Sequence, residues 1–345
     1  MKPILTISIA AYNAEKYLEK CLSSLIKCQR FNALQIIVVD DGSSDNTAEI
    51  GKSYAKRYPD QIRLISKANG GHGSTINTTI QLAEGKYYKI VDSDDWVESA
   101  NIDVLVGYLE SLDVSIVINP YYIVNADSGE KQIIKPFITN APTDGQLICI
   151  SQLYEYEYRH AMHSLTFNTS LVRQMGPIID EKCFYVDAEY TIFPMKYAKS
   201  FVYYDFPIYD YLMGTNEQSM NETNMIRRRD QHLKVCKRVI DFYRGNHEIE
   251  EGIRSVIKRR VDSLICTEYI ILMKNGNKQE LLSFDEYMCT TSADLYASAM
   301  QYGIEQMHSN YISVLLKMKK NNFRLFPLYN TILRLNRLYK KLHKR

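Results

Sequence analysis

Four apolar runs, rich in β-branched residues, fall within the first hundred residues and alternate with stretches of helical period. Residues 4–10, 35–39, 62–66 and 87–91 read as short buried strands. Between the first two, Tyr17, Leu18, Cys21, Leu22, Leu25 and Ile26 recur at the spacing of an amphipathic helix over 13–28. Asp45 is placed to cap a second helix running to about Tyr58, and a third is expected over 75–83. Strands joined through helices require right-handed crossovers, so the sheet is mostly parallel and covered on both faces. Ligands bind such sheets beyond the carboxyl ends of the strands. Those ends carry Ala11-Tyr12-Asn13, then Asp40-Asp41, then Asn69-Gly70-Gly71, then Asp92-Ser93-Asp94-Asp95. Four polar strand ends on one rim of one sheet define the candidate site.

Asp92, Asp94 and Asp95 put three carboxylates into four residues. Such a cluster is tolerable where a cation neutralises it or where it fans out into water as a solvated turn. Oxygen-rich, thiol-free sets suit hard divalent ions, and magnesium takes one or two carboxylates and completes its shell with water and phosphates. A nucleotide diphosphate site at a strand end has that requirement. A dinucleotide oxidoreductase is excluded, because Ala10-Ala11-Tyr12-Asn13 replaces the glycine fingerprint after the first strand. A sugar-nucleotide pyrophosphorylase, which needs a glycine-rich, arginine-bearing loop there, fails on the same residues.

The chain has 345 residues, enough for two domains. Seven cysteines, an odd number with no Cys-x-x-Cys pair, argue against a disulfide framework and structural zinc and fit a reducing compartment. No signal peptide and no apolar run long enough for a membrane span is read, so a cytoplasmic location is expected. Residues 99–111 look helical, 114–126 strand-like and 127–150 irregular. From about 223 the pattern is helical throughout. The expected domains are 1–220, with a nucleotide half over about 1–100 and an acceptor half over 101–220, and a helical domain over 221–345.

Net charge is +2, but 317–345 holds ten Lys or Arg and no acid, leaving 32 basic and 40 acidic residues elsewhere. Leu328, Ile332, Leu335, Leu338, Tyr339 and Leu342 fall at near-helical spacing among those cations. A basic amphipathic helix over 323–345 would bind the anionic inner face of a membrane or pack on the helical domain. No nucleic-acid motif is present.

Taken in order and spacing, Ala10-Ala11-Tyr12-Asn13, Val38-Val39-Asp40-Asp41-Gly42-Ser43-Ser44-Asp45, Asn69-Gly70-Gly71 and Ala83-Glu84-Gly85-Lys86-Tyr87 leading to Asp92-Ser93-Asp94-Asp95 resemble glycosyltransferase family 2. The resemblance covers about 1–100, weakens over 150–215 and ends near 220. It implies a GT-A fold, an α/β sheet flanked by helices followed here by an all-helical region. It implies inverting hexosyl or N-acetylhexosaminyl transfer from a UDP-sugar, dependent on Mn²⁺ or Mg²⁺, to a cell-surface polysaccharide or lipid-linked glycan. Asp94, Asp92 and Asp95 become the metal ligands, with Asp92 and Ser93 also facing the donor. Ala11, Tyr12, Asp40 and Asp41 become the base pocket, and Asn69, Gly70, Gly71 and His72 the rest of the donor site. Ile76-Asn77 stands where the family has Arg-Asn, so one cation is missing, which His72 or Lys67 would replace.

Asp180-Glu181-Lys182-Cys183-Phe184-Tyr185-Val186-Asp187-Ala188-Glu189-Tyr190 resembles the region of the family's catalytic base. Asp187 is the expected base, with Glu189 the alternative and a helix-capping part for Asp187 compatible with either. Val186 replaces the first acid of the usual pair. His160 and His163 lie three apart near the expected acceptor site. They are read as packed or hydrogen-bonding residues, since no third metal ligand is evident beside them. Asn216, Gln218 and Ser219 fall where relatives fold over the diphosphate. A non-enzymatic reading, a nucleotide-sugar-binding scaffold of the same fold, draws on the missing Arg and on Val186. The motifs name neither the sugar nor the linkage and leave the oligomeric state open.

Overall fold

The computed structural model describes residues 2–159, 161–175, 178–215 and 221–332. The chain divides into two compact units. One comprises Met1–Gln218 with Asn246–Val256, the other Ser219–Gly245 with Ile257–Arg345.

In chain order the strands are β1 (Leu5–Ala11), β2 (Leu34–Asp40), β3 (Ile62–Ser66), β4 (Tyr87–Asp92), β5 (Trp96–Val97), β6 (Ile116–Ile118), β7 (Tyr121–Asn125), β8 (Lys131–Ile134), β9 (Leu147–Cys149), β10 (Leu165–Asn168), β11 (Ser200–Tyr203) and β12 (Tyr209–Met213). Eight of them form one sheet in the order β3-β2-β1-β4-β10-β6-β11-β9. The first four are mutually parallel, as the alternating pattern requires, and β10 enters antiparallel to both β4 and β6. The register aligns the strand ends. Ala11 stands opposite Asp40, Ala10 opposite Asp92, and Asp40 opposite Ser66. The acidic clusters therefore flank the end of β1 on one rim because their strands are in register, not because they are near in sequence.

The helices of the first unit are α1 (Leu18–Ile26), α2 (Thr47–Arg57), α3 (His72–Leu82), α4 (Ser99–Ser111), α5 (Thr169–Met175) and α6 (Asp187–Ile192). Leu18, Cys21, Leu22 and Leu25 of α1 share one fully buried cluster with Leu5, Ile7, Ile9, Ile36 and Val38 of the sheet. Each such aliphatic side chain contributes about 1.5–3 kcal/mol on burial. The helix expected to begin at Thr75 begins at His72 instead. Gly71, at φ +79°, makes the turn into it, so His72 is a helical residue and not a loop residue. The stretch 127–150, expected to be irregular, contains β8 and β9, which pair with β7 and β11.

A second sheet runs β5-β12-β7-β8. Its strand β5 starts one residue after Asp95, and β12 lies antiparallel to it through Tyr209–Val97 and Asp210–Trp96. This small sheet brings residues 209–213 against the acidic turn.

The second unit is helical in its described residues: α7 (Glu222–Arg227), α8 (Arg229–Gly245), α9 (Glu251–Asn275, which begins in the first unit), α10 (Lys278–Thr291), α11 (Ala293–Glu305) and α12 (Asn310–Lys320). Residues 326–332 are helical and leave Leu328 and Ile332 at least half exposed. The rest of the basic amphipathic stretch, 333–345, lies outside the described residues, as do His160, Asn216, Gln218 and Ser219. Among the described residues no helix is long and apolar enough to cross a membrane. None of the seven cysteines is in a disulfide.

Candidate active site

Backbone hydrogen bonds and short polar side chains stitch the rim together. Asp41 N donates to Ala11 O (2.8 Å) and Lys67 N to Asp40 O (3.0 Å), which carries the parallel ladder past its strand ends. Asn13, at φ +49°, accepts on Oδ1 from Ser44 N and donates its own N–H to Ser43 Oγ. Ala11 is buried, whereas Tyr12 is 56% exposed and presents its ring at the rim. Asp45 bonds Thr47 N and Oγ1 through Oδ1, while Asn46 occupies the helix cap position expected for Asp45.

Asp40 and Asp41 are both buried. Asp40 Oδ1 accepts from Ser43 N (3.0 Å). Asp41 is more heavily engaged. Its Oδ1 accepts from Gly70 N (2.9 Å) and Lys67 Nζ (3.1 Å), and its Oδ2 from Gly71 N (2.7 Å). The Asn69-Gly70-Gly71 loop is thus gathered onto one carboxylate. The absence of a side chain is required there, since a Cβ on Gly70 would lie 2.5 Å from Ser74 Oγ.

Asp92-Ser93-Asp94-Asp95 closes a tight turn, Asp95 N donating to Asp92 O (3.1 Å). Asp95 is 1% exposed. Tyr209 donates its hydroxyl to Asp95 Oδ2 (2.5 Å) and accepts from Asp92 N (3.1 Å), and Leu212 N donates to Asp95 Oδ1 (2.8 Å). Burial, then the charges of Asp94 and Asp92, push the Asp95 carboxyl well above the usual range despite those bonds. Burial raises Asp92 too, opposed by the nearby His72 and reinforced by Asp187. His72 Nε2 stands 3.5 Å from Asp92 Oδ1. Ile76, in place of the family's Arg, is fully buried and offers nothing to a phosphate.

His163 was not expected here. It lies just before β10, and its ring stacks on Tyr211 (centroids 4.2 Å apart) and packs edge-on to Tyr209 (4.8 Å). One ligand atom each from Asp92, Asp95 and His163 lies within 4.8 Å of the others. Asp94 is not in that grouping, although it was expected beside the other two acids. It is half-buried and acts on Asp95 through its charge. Burial and the adjacent Lys89 hold the imidazole down at about 3, so it is neutral at physiological pH and able to ligate. His163 Nδ1 is buried and makes no hydrogen bond among the described residues. A buried carboxylate, a half-buried one that repels it and one orphaned imidazole nitrogen fit a divalent cation. The mixed oxygen and nitrogen set suits Mn²⁺ at least as well as Mg²⁺.

Asp187 is the first residue of α6, with Val186 in the cap position, so it does not cap the helix. It is half-buried and close enough to raise both Asp92 and the Tyr211 phenol. Glu189 differs. It is fully buried, and its Oε2 accepts from Asp180 N (2.8 Å), so it braces the segment before α6 and does not face a cleft. Asn77 braces the same segment in both directions, donating to Ile179 O (2.9 Å) and accepting from Ile179 N (3.2 Å). Gly73 lets α3 approach so closely that a Cβ there would be 2.0 Å from Asp180 O.

The sequence alone assigned His163 a packed or hydrogen-bonding part near the acceptor and left Tyr209, Tyr211 and the bracing part of Asn77 unread. One signal was available: Lys89 interrupts the apolar run of β4, and a charged residue inside a buried strand needs a polar partner across the sheet.

Residues 6–174 match the family model described as Glycosyl transferase family 2. The uncharacterized glycosyltransferase EpsJ of Bacillus subtilis is 28% identical over 284 residues, covering 79% of this chain and 78% of EpsJ. Glycosyltransferase GlyG of Streptococcus pneumoniae is 32% identical over 44% of this chain, and that match spans about half (48%) of GlyG. Among solved structures, S. aureus TarS 1–349 in complex with UDP-GlcNAc superposes with a TM-score of 0.56 at 15% identity, covering 87% of this chain and 91% of that one. The mannosyltransferase PcManGT of Pyrobaculum calidifontis, in complex with GDP-Man and Mn²⁺, gives 0.51 at 13% identity, covering 97% and 85%. At such identities the structures establish the GT-A fold alone. The matched span contains β1 to β4 and the acidic turn that build the rim, and there, over just under half of its length, the chain matches glycosyltransferase family 2.

Proposed function

We propose that this protein is a metal-dependent, inverting glycosyltransferase that takes a UDP-sugar. The observation that carries the reading is the convergence of Asp92, Asp95 and His163 on one point at the end of β4, with Asp187 electrostatically coupled to Asp92. UDP-GlcNAc is bound by TarS and GDP-Man with Mn²⁺ by PcManGT, two proteins of this fold. A nucleotide-sugar donor for this chain is the shared inference, and uridine the more specific one. The base would rest on Tyr12 and Ala11 with Asp40 and Asp41 at its edge, and His72 and Lys67 would face the phosphates.

Asp92, Asp95 and His163 would hold the cation, which when bound offsets charge on the departing diphosphate. The remaining chemistry belongs to side chains. Asp187 removes the proton from the acceptor hydroxyl as it attacks the anomeric carbon from the face opposite the nucleotide. Tyr209 and Leu212 N keep Asp95 aimed at the site, and Asn77 and Glu189 keep the backbone leading to Asp187 in place.

The acceptor we propose is a cell-surface glycan or its lipid-linked precursor, reached from the cytoplasmic side. The exposed Leu325, Leu328 and Ile332 and the cations that follow in the sequence support a peripheral membrane contact. Liposome sedimentation with and without anionic lipid tests that part.

The donor reading is tested by thermal shift with a panel of nucleotides and nucleotide-sugars, with and without Mn²⁺. UDP and one UDP-sugar should stabilise the protein only with metal, by about 2.7 kcal/mol at a hundredfold excess over Kd. No stabilisation by any of them would favour the scaffold reading.

A further inference from the structure

Lys89 lies in the middle of β4 and is fully buried. The strand runs through the core, and an aliphatic residue would fill that place without the cost of dehydrating an ammonium. Among the described residues, no carboxylate lies within ion-pairing distance of its Nζ. Its donors go instead to two backbone carbonyls of one segment, His163 O at 2.7 Å and Leu165 O at 3.2 Å. Its Nζ also stands 5.4 Å from the centre of the Tyr209 ring.

The position explains the geometry. Strands β4 and β10 are paired only at Tyr87–Asn168 and Tyr88–Phe167. One residue further along β4, Lys89 extends its side chain across the gap and takes carbonyls from the segment that turns away. That segment carries the His163 imidazole. Three residues further along, β4 ends in Asp92. One strand thus supplies a carboxylate of the cluster directly and fixes the imidazole through a side chain three positions earlier.

We infer that Lys89 is a positioning residue for the cation site: by tying the His163 carbonyl to β4, it sets where the imidazole stands relative to Asp92 and Asp95. This rests on the reading of His163 as the third ligand. A lysine that merely plugged the sheet would bear on stability but not on how well the site takes metal.

The test is Mn²⁺ binding, with and without UDP, followed by the electron paramagnetic resonance of free Mn²⁺. It uses the full chain and its Lys89→Met, Lys89→Gln, His163→Ala and Lys89→Met/His163→Ala variants. Groups that orient a metal ligand from behind are worth about 10–100-fold in metal affinity. Lys89→Met should therefore weaken Mn²⁺ binding about tenfold or more. Lys89→Gln, which keeps one donor on a shorter chain and is the variant to use should Lys89→Met not fold, should fall between it and the parent. In the His163→Ala background Lys89→Met should cost nothing further, the non-additivity expected of residues acting through one group. Unchanged affinity in a folded Lys89 variant, with affinity lost in His163→Ala, would overturn the positioning role and leave the ligand reading standing. Unchanged affinity in His163→Ala would overturn both. An added loss from Lys89→Met in the absence of His163 would show that Lys89 works by another route.

Discussion

Asp41→Asn separates two parts a carboxylate at this rim could play. The substitution keeps the shape and removes one acceptor and the charge. Asp41 now accepts from Gly70 N, Gly71 N and Lys67 Nζ on two oxygens, all with the carboxylate buried. An asparagine offers one oxygen, so its amide nitrogen must face one of the two glycine N–H groups. That leaves a buried donor unpaired, costing about 1–3 kcal/mol, and the surviving bond loses its charge assistance, about 1 kcal/mol more. The Lys67 pair is 24% exposed on the lysine side and adds less than about 1 kcal/mol after screening. The total is about 3 kcal/mol, which lowers Tm by about 6–12 °C in a unit of this size. Calorimetry on the ligand-free protein, alongside UDP titration, decides the matter. A variant that loses UDP affinity while its ligand-free Tm stays within about 2 °C of the parent would refute the reasoning. Asp41 would then be a base contact and not the anchor of the glycine loop.

Three further outcomes are expected. Asp187→Asn should lower transfer by about 10²–10⁴-fold with nucleotide binding intact, measured by product formation beside UDP titration; turnover near the parent's would remove Asp187 as the base. Asn77→Ala should release the Ile179 backbone, costing about 2 kcal/mol for two buried bonds and lowering kcat more than UDP affinity; an unchanged kcat would show that the brace does not reach Asp187. Asp210, buried beside Lys131 (2.7 Å), is raised by burial to about 6. Its contribution to stability is therefore full below about 4 and is lost as pH rises through about 6. Asp210→Asn does not titrate, so its Tm relative to the parent should rise between about pH 4.5 and 7; parallel Tm curves would contradict this.

The half of the site built on β1 to β4 was legible because one regularity, parallel strands in register, puts Ala11, Asp40 and Asp92 side by side. The bounds of α3 were misjudged because Gly71 supports a left-handed turn directly into the helix, and glycine reads equally well as loop. The clamp on Asp95 was not legible. Strand β5 is two residues long, and Tyr209 reaches Asp95 across 114 positions of sequence, so no local period betrays it. His163 was set aside for want of companions in its own segment, and its companions come from the end of β4. The return of Asn246–Val256 to the first unit has no sequence signal either, since those residues share the helical pattern around them.

The span of 117 residues between Asp95 and Leu212 has a temporal meaning. At about 5–20 residues per second, a ribosome needs about 6–23 s to go from one to the other. During that interval the acidic turn has been made while the phenol and amide that restrain it have not. The nascent chain then carries three carboxylates within four residues without the groups that hold Asp95. A fragment ending at residue 174 would be arrested in that state. It would keep Asp40-Asp41 and Asp92-Ser93-Asp94-Asp95, but not the strand that holds Asp95 or the helix that bears Asp187.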